Sequence, residues 1–285
     1  MHDVIDFTDR VVLVTGGTKG IGRGIAESFA ARGATVVTCA RRPADEPLRD
    51  GIEVVTADIR QSAEVTRLVD HVAERYGRID VLVNNAGGSP PADSASASPR
   101  FSEAIIRLNL LAPLWLAQAV NAIMQAQSSG GAIINIASVS GMRPSPDTVA
   151  YGAAKAGLIN LTETLAVEWA PKVRVNTVTP GYIRTEQAPL FYGDEAGIAR
   201  VAATVPLGRL GNPADVADAC LFMASPLAAY VSGANLVVHG GGEAPRYLSG
   251  ANDGAVASER GDRSGPKGGA GGTVTDRADR AGSSP

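Results

Sequence analysis

The stretch TGGTKGIG, residues 15–22, decides the fold of this chain. It holds four glycines, and the segments on either side of it show what those glycines do. The preceding segment RVVLVT is a β-branched apolar run, typical of a strand buried on both faces of a parallel sheet. The following segment places apolar residues such as Ile25 and Phe29 at helical spacing, and Gly33 is predicted to cap that helix. The predicted order is therefore strand, glycine loop and helix.

This order favours a phosphate-binding loop over a purely structural turn. Without Cβ atoms, the backbone N–H groups of such a loop can approach a pyrophosphate closely at the positive end of a helix. The spacing is T-G-x-x-x-G-x-G rather than G-x-G-x-x-G, so the pattern is weakly specific by itself. The phosphate-binding interpretation therefore depends on the strand before the loop and the helix after it.

Strand-like and helical segments alternate along most of the chain. After the first strand, six apolar runs are predicted to be strands: residues 35–39, 53–57, 80–84, 132–137, 174–178 and 235–238. Helical patterns lie between them, near residues 62–76, 101–125, 150–169 and 213–223. Regular β-α alternation predicts an α/β fold with a doubly wound, Rossmann-type sheet of seven parallel strands, helices on both faces and a single domain.

The composition changes after residue 248, where large apolar and aromatic side chains almost disappear. Ordering a backbone costs about 1–2 kcal/mol per residue, and this segment has little apolar surface to offset that. We therefore predict one domain over residues 1–245 and a disordered tail over residues 246–285. An interaction segment that folds on a partner is the alternative, but no motif supports it.

Composition also limits the possible partners. The chain has 285 residues, a formal net charge of −3 and two cysteines, Cys39 and Cys220, each in an apolar run. A charge this small attracts neither nucleic acid nor an anionic membrane, and no long apolar segment is expected to span a bilayer. We expect a cytoplasmic protein with no nucleic-acid or membrane partner. No metal site is expected, because the three histidines are scattered and lack ligand spacing.

Several polar residues stand at positions where chemistry can occur. In YGAAK, Tyr151 and Lys155 are four residues apart, which places them on one helix face, and an ammonium beside a phenol lowers the pKa of the phenol. Ser138 follows an apolar strand at the sheet edge where α/β proteins bind ligands. Each residue alone has an ordinary structural reading: Tyr151 and Lys155 as a solvated helix surface, Ser138 as a turn residue, and Asn109 as a buried amide in a helix.

Taken in this order and spacing, the motifs resemble the short-chain dehydrogenase/reductase family, over roughly residues 6–242. The resemblance is greatest to its 3-oxoacyl-acyl-carrier-protein reductase type. It implies a catalytic tetrad of Asn109, Ser138, Tyr151 and Lys155, and binding of a nicotinamide cofactor. The implied cofactor-binding residues are Gly16, Thr18, Lys19, Gly20, Ile21, Arg41, Asp58, Ile59, Asn85, Ala86, Gly87, Tyr151, Lys155, Pro180, Gly181, Ile183 and Thr185. His239 stands where an aspartate is usual, and a structural role is expected for it.

The family mechanism assigns a role to each member of the tetrad. A hydride passes between the nicotinamide and a carbonyl carbon, while Tyr151 acts as general acid or base and Ser138 binds the carbonyl oxygen. Lys155 holds the ribose hydroxyls and lowers the pKa of Tyr151, and Asn109 positions a water. The implied activity is that of an NAD(P)-dependent short-chain oxidoreductase acting on a carbonyl or secondary alcohol.

The substrate and the assembly are less sharply indicated. Residues 187–206 match the family's mobile flap, whose side chains Leu190, Phe191, Tyr192 and Ile198 suggest a small or acyl-type apolar substrate, unless they only pack the flap on the core. An NAD-dependent alcohol or hydroxysteroid dehydrogenase is one alternative, and a nucleotide-binding protein without turnover is another. The family also implies a homo-oligomer, expected to be a homotetramer.

The end of the second predicted strand indicates which cofactor is preferred. NAD-dependent dehydrogenases of this fold place an acidic residue there to accept hydrogen bonds from the ribose. Here the position is Ala40, followed by Arg41. Lys19 in the glycine loop and Arg41 are predicted to converge on a 2′-phosphate. We therefore expect NADP(H) to be preferred and NAD(H) to be less favoured.

Overall fold

A seven-stranded parallel sheet forms the centre of the protein in a computed structural model, which describes residues 5–44 and 46–243. The strands are β1 (Val11–Thr15), β2 (Thr35–Ala40), β3 (Ile52–Thr56), β4 (Val81–Asn84), β5 (Gly131–Ile136), β6 (Val173–Pro180) and β7 (Asn235–Val238). They lie side by side in the order β3-β2-β1-β4-β5-β6-β7. The predicted doubly wound α/β sheet is confirmed. The predicted tail, residues 246–285, lies outside the described residues.

Helices cover both faces of the sheet. They are α1 (Gly20–Ala30), α2 (Ser62–Tyr76), α3 (Pro99–Ile106), α4 (Ala112–Ala126), α5 (Val149–Glu168), α6 (Ala188–Tyr192), α7 (Glu195–Thr204) and α8 (Pro213–Ala224). A π-helical turn, Arg107–Leu111, joins α3 to α4, and short 3₁₀ turns occupy Val139–Gly141 and Pro226–Ala228.

Alternate residues of the central strands pack into two separate apolar layers. On β1, Leu13 faces the layer formed with α2, α4 and α5, whereas Val12 and Val14 face the layer formed with α1 and α8. All three side chains are fully buried. A strand that is apolar on both faces is stable only between two helical layers, which explains why the β-branched runs form a covered parallel sheet.

The order in which the chain adds strands to the sheet reverses between β1 and β4. From β1 it moves outward through β2 to β3, then returns to pair β4 with the opposite edge of β1. Loops that follow β1 and β4 therefore diverge at the carboxyl end of the sheet and leave a crevice between them. This is the position at which open α/β sheets bind their ligands.

The predicted cap of the first helix is wrong in detail. Helix α1 ends at Ala30 with Ala31 as its cap, and Gly33 comes later, with a φ of +86°. A Cβ at Gly33 would lie 2.6 Å from the hydroxyl oxygen of Thr8. The glycine therefore serves the close turn into β2 rather than the helix terminus.

The expectation that no segment is long and apolar enough to span a bilayer is also wrong. Helices α3 and α4 and the π-helical turn form one helical run of 28 residues that contains an 18-residue stretch with a mean hydropathy of 1.2, which suffices by length and composition alone. Buried helices of soluble proteins pass the same test. In this fold, Leu116, Val120 and Met124 of the run are fully buried in the apolar layer beside the sheet.

Candidate active site

The glycine loop turns sharply between β1 and α1. Gly16 and Gly20 have φ values of +68° and +55°, a region that favours glycine. The backbone N–H of Gly17 donates to the hydroxyl of Thr38 at 2.8 Å, which fixes the loop against β2. Lys19 precedes the helix, and its side chain does not cap it. A lysine ammonium can only donate hydrogen bonds, so Lys19 gives the first N–H groups of α1 no side-chain acceptor.

Close packing of α1 on the loop requires a further glycine. A Cβ at Gly22 would overlap the carbonyl oxygen of Gly16 and the side-chain amide of Asn85. Gly22 thus lets the helix start directly above the end of β1. Three glycines of the loop therefore have a structural reason: Gly16 and Gly20 have positive φ values, and Gly22 has no room for a Cβ.

Thr15 joins the loops that follow β1 and β4. Its hydroxyl accepts hydrogen bonds from the backbone N–H groups of Asn85 and Ala86, both at 3.0 Å. The side-chain amide of Asn85 donates to the backbone carbonyl of Thr15 at 2.9 Å. Sequence analysis assigned no role to Thr15, although a hydroxyl residue at the end of a buried strand was the available signal. These bonds hold both walls of the crevice at a fixed separation.

Asn109 lies in the π-helical turn between α3 and α4. Pro113, four residues further on, has no N–H to donate to the carbonyl of Asn109, so the regular helical pattern cannot continue through this point. The side chain of Asn109 is fully buried. Its amide donates to the carbonyls of Gly88 and Ile105 at 3.0 and 2.9 Å, and its oxygen accepts from the N–H of Gly88 at 2.9 Å.

Lys155 and Tyr151 lie on the same face of α5, as predicted. The ammonium of Lys155 donates to the backbone carbonyl of Ile136 at 2.7 Å and lies 5.7 Å from the centre of the Tyr151 ring. Ser138, just beyond β5, hydrogen-bonds with the phenol of Tyr151. A Cβ added to Gly87 would lie 2.6 Å from the Asn109 oxygen and 3.2 Å from the Lys155 ammonium. The four residues of the expected tetrad therefore lie together.

The electrostatics of this cluster differ from the sequence-based expectation. Burial raises the pKa of Tyr151, and the hydrogen bond with Ser138 offsets only part of that effect. Lys155 does not lower the pKa of Tyr151 here, because its own pKa is lowered to about 7 by burial. The raised pKa keeps the phenol protonated at neutral pH. The cluster can thus donate a proton from Tyr151.

A groove of about 590 Å³ extends from the glycine loop to Tyr151. Most of the sequence-predicted residues line it: Gly16, Thr18, Lys19, Gly20, Ile21, Arg41, Asp58, Ile59, Asn85, Ala86, Gly87, Ser138, Tyr151, Lys155, Pro180, Gly181 and Thr185. Asn109 lies behind the groove, next to Lys155. Ile183 is 9% exposed and packs in the core with β1 and α8, so its side chain does not line the groove.

The end of the groove beside β2 is basic. Lys19 and Arg41 line it together with Arg42 and Arg60, two residues that sequence analysis missed. The guanidinium of Arg60 binds the carboxylate of Asp58 at 2.6 Å, and this hydrogen bond lowers the pKa of Asp58, with a smaller contribution from Arg41. Ala40 also lines this end and supplies no carboxylate. An anionic group is therefore the complementary ligand for this end of the groove.

The flap residues are arranged differently from the apolar pocket wall that the sequence suggested. Leu190 and Phe191 are 79% and 58% exposed. Ile198 is buried in a small cluster with Ala188 and Leu210, against which Tyr182 also packs. Tyr192 also packs inward, against the ring of Tyr182. Two of the four side chains therefore face away from the core, and the other two pack the flap against it.

Comparison with known proteins agrees with this arrangement. The family model described as enoyl-(acyl carrier protein) reductase matches residues 16–243. The chain is 36% identical over 243 residues to a 3alpha-hydroxysteroid dehydrogenase of Mediterraneibacter gnavus, covering 81% of this chain and 96% of the relative. It is 35% identical to the 3-oxoacyl-[acyl-carrier-protein] reductase FabG of Escherichia coli, covering 83% and 98%.

A solved structure shares the fold over most of the chain. The protein comes from Beutenbergia cavernae, and its crystal structure holds NADP at low occupancy. It superimposes with a TM-score of 0.78 at 33% identity, covering 83% of this chain and 98% of that one. The fold, the groove and these similarities together show that the chain belongs to the short-chain dehydrogenase/reductase family and is an NAD(P)-dependent oxidoreductase.

Proposed function

We propose that this protein is an NADP(H)-dependent oxidoreductase that interconverts a small carbonyl compound and the corresponding secondary alcohol. The observation that supports the proposal is one groove lined by Tyr151 near one end and, at the other, by Lys19, Arg41 and Arg42 next to the Arg60–Asp58 ion pair. The groove suits a dinucleotide, because Gly16 and Gly20 expose backbone where a side chain would intrude. A bound NADP(H) supplies or accepts the hydride.

Tyr151 is the general acid in the reducing direction. Its raised pKa keeps the phenol protonated at neutral pH, so it can give its proton to the carbonyl oxygen as negative charge develops there. Ser138 hydrogen-bonds the same oxygen and lowers the energy of that charge. In the oxidising direction Tyr151 must first lose its proton, which favours alkaline conditions.

Lys155 and Asn109 support this proton transfer. Lys155 is anchored on the carbonyl of Ile136, which aims its ammonium into the groove beside Tyr151, where it holds the ribose of the cofactor. The buried Asn109 lies next to Lys155 and positions a water through which the site exchanges protons with solvent. A positioned acid such as Tyr151 contributes roughly 10²–10⁴-fold to the rate.

The preference for NADP(H) follows from charge. Lys19 and Arg41 approach the groove from the loop after β1 and from the end of β2, and Ala40 offers no carboxylate to repel a phosphate. A guanidinium and an ammonium suit a 2′-phosphate dianion. Arg42 adds a further positive charge at the same end.

The proposal includes the setting in which the enzyme acts. We place it in the cytoplasm as a homotetramer, in keeping with the family resemblance. An NAD-dependent alcohol or hydroxysteroid dehydrogenase is the alternative function, and a nucleotide-binding protein without turnover is a second. The basic end of the groove argues against an NAD-dependent enzyme, and the intact cluster around Tyr151 argues against a protein without turnover.

A panel of ketones and secondary alcohols, assayed with both cofactors, tests the function. Oxidation of NADPH that depends on an added ketone is the expected result. Faster turnover with NADH would support the alternative dehydrogenase. Tight cofactor binding with no turnover of any substrate would support the non-catalytic protein.

A further inference from the structure

The connection between β2 and β3 carries two basic side chains of the groove, Arg41 and Arg42, and both residues are exposed. The apolar residues that follow, Ala44 and Leu48, are only partly buried. Burial of apolar side chains therefore contributes little to holding this connection against the rest of the protein. Its path has to be fixed by polar contacts.

Arg23 of α1 supplies such contacts. Its guanidinium donates one hydrogen bond to the carboxylate of Glu46 at 3.2 Å and one to the backbone carbonyl of Pro47 at 2.9 Å. Over residues 41–44 and 46–48, these two are the hydrogen bonds to another helix or strand that the structure describes. Arg23 therefore fastens the connection to α1.

The guanidinium is itself held in place by Glu27, one helical turn further along α1. Its Nε donates to the carboxylate of Glu27 at 2.8 Å, while Nη1 binds Glu46 and Nη2 binds Pro47. Each of the three nitrogens thus has its own acceptor, an arrangement that fits the rigid fork of an arginine. We call Arg23 with these three partners the Arg23 clamp.

The Arg23 clamp lies one helical turn from the glycine loop. The backbone N–H of Arg23 donates to the carbonyl of Lys19 at 3.1 Å, at the start of α1. The same helix start therefore carries Lys19, which lines the groove, and the clamp that holds the connection with Arg41 and Arg42. The clamp links the two segments that supply positive charge to the basic end of the groove.

The Arg23 clamp also shortens the free part of the connection. The chain is fixed at Ala40, where β2 ends, and again at Glu46 and Pro47, so the segment with Arg41 and Arg42 is held at both ends. Without the clamp, the next fixed point would be the start of β3. A shorter span between fixed ends has fewer conformations, so the clamp restricts where the two side chains lie.

We propose that Arg23 is a positioning residue for cofactor selection. By clamping the connection on α1, it holds Arg41 and Arg42 at the separation from Lys19 at which the three cations bind a 2′-phosphate together. Arg23 is not among the residues that line the groove, so it acts through the connection rather than on the cofactor. The inference rests on the proposed preference for NADP(H) and adds a residue outside the groove on which that preference depends.

The size of the effect follows from the ordering of side chains. A site that is ordered in advance does not have to order its side chains when the ligand binds, and ordering one long side chain corresponds to roughly a two- to ten-fold loss of affinity. In the proposed complex Arg41 and Arg42 bind the 2′-phosphate. Loss of the clamp should therefore weaken the binding of NADP⁺ and spare that of NAD⁺.

A role for Arg23 as a surface charge alone predicts a different result. The side chain of Glu46 is 79% exposed, and an exposed ion pair contributes little by itself. The carbonyl of Pro47 belongs to the backbone, so the bond to it fixes the path of the chain. Replacing the arginine fork should therefore have an effect even where the positive charge is kept, and loss of the Glu46 carboxylate should have a smaller one.

The experiment measures the affinity of the full chain for NADP⁺ and for NAD⁺, which differ only in the 2′-phosphate, by calorimetric titration. The ratio of the two dissociation constants is compared among the wild type, Arg23→Lys, Glu46→Gln and Arg32→Lys. Arg23→Lys keeps the charge and presents one nitrogen in place of three. Arg32→Lys makes the same change just beyond the other end of α1, where the guanidinium donates to the carbonyl of Ile5 at 3.3 Å, and is the matched control. Melting temperatures establish that all four proteins are folded.

The wild type and Arg32→Lys should favour NADP⁺ by the same factor, and Arg23→Lys should lower that factor roughly two- to ten-fold through weaker binding of NADP⁺ alone. Glu46→Gln should lower it less. In a ketone assay, Arg23→Lys should raise the KM for NADPH and leave kcat as in the wild type, which a general loss of structure would not do.

An unchanged factor in Arg23→Lys would overturn the inference, and so would an equal fall in Arg32→Lys. Both results leave the proposed preference for NADP(H) in place. Equal affinity of the wild type for NADP⁺ and NAD⁺ would instead overturn the proposed preference and this inference together.

Discussion

The ammonium of Lys155 donates a hydrogen bond to the backbone carbonyl of Ile136 across 2.7 Å. The lysine is 2% exposed, and this carbonyl at the end of β5 is its hydrogen-bond partner. The bond anchors α5 to the sheet and places Tyr151, one helical turn earlier, beside Ser138. It does not compensate for the loss of hydration, and burial lowers the pKa of Lys155 to about 7.

This lowered pKa predicts a pH-dependent stability. In the unfolded chain the lysine has its ordinary pKa of about 10.4, so between pH 7 and pH 10 the unfolded state binds more protons. The contribution of Lys155 to the free energy of unfolding should therefore rise with pH in that range, by up to about 1.4 kcal/mol per pH unit. Below pH 7 it should be constant.

The measurement is the free energy of unfolding of the wild type minus that of Lys155→Met, at pH 7 and pH 9.5. The difference should grow with pH. The raised pKa values of the buried thiols Cys39 and Cys220 act in both proteins and cancel. Lys172→Met, which changes an exposed lysine, should follow the wild type. Parallel curves for wild type and Lys155→Met would contradict the lowered pKa.

Tyr151→Phe should remove nearly all turnover and leave cofactor affinity close to that of the wild type. The variant loses only the proton donor, and a positioned acid contributes roughly 10²–10⁴-fold. Lys155→Ala should lower both turnover and cofactor affinity, because the ammonium also lies in the groove. Single-turnover rates and cofactor titrations separate the two effects. A Tyr151→Phe enzyme with more than half of the wild-type rate would refute the assignment of the acid.

Much of this fold could be predicted because the sequence pattern and the packing depend on the same periodicity. Val12, Leu13 and Val14 are apolar without alternation, and they are buried in two opposite layers. Tyr151 and Lys155 are four residues apart on a helix, so their common face follows from helical geometry. In both cases a local sequence pattern, an apolar run or a helical spacing, is enough to predict where the side chains lie in the fold.

Other features depend on contacts that no local rule provides. Arg60 lines the groove and binds Asp58 because the turn after β3 brings them there, yet in the sequence it is one arginine among many. Phe191 is exposed, whereas Tyr192 next to it packs on the ring of Tyr182, a contact between distant segments that the apolar composition of α6 does not reveal. The pKa of Tyr151 was predicted in the wrong direction, since burial outweighs a neighbouring lysine that is itself buried.

Gly22→Ala should destabilise the protein and abolish cofactor binding. A Cβ at this position overlaps the carbonyl oxygen of Gly16, so the loop or the start of α1 must move. Overpacking of this kind costs about 1–3 kcal/mol. Gly157→Ala is the matched control, because its Cβ would meet only the flexible end of Leu110, at 3.3 Å. Thermal melting and cofactor titration of both variants test the prediction, and equal behaviour of the two would contradict it.

Deletion of residues 251–285 should leave both stability and assembly unchanged. The deleted segment has no aromatic residue and few large apolar ones, so it offers little surface to bury. The predicted homotetramer should therefore persist in the shortened chain. Light scattering gives the mass, and a melting curve gives the stability. A monomer, or a large fall in melting temperature, would show that the segment packs on the rest of the protein.

The double substitution Ala40→Asp and Arg41→Ala should invert the cofactor preference from NADP(H) to NAD(H). Ala40 ends β2 and lines the basic end of the groove, so an aspartate there would repel a 2′-phosphate and accept hydrogen bonds from an unmodified ribose. Removal of Arg41 takes away one charged hydrogen bond, which is worth roughly 1.5–3 kcal/mol, or about ten-fold or more in affinity.

Two neighbouring arginines sharpen this test of cofactor preference. Arg42 also lines the groove, so adding Arg42→Ala to the double variant should move the preference further toward NAD(H). Arg49 lies on the same β2–β3 connection but not among the groove-lining residues, and Arg49→Ala, with the same change of charge, should leave the preference as it is. The measured quantity is kcat/KM with each cofactor for all four proteins. If the wild type used NADH as efficiently as NADPH, the basic end of the groove would not select the 2′-phosphate.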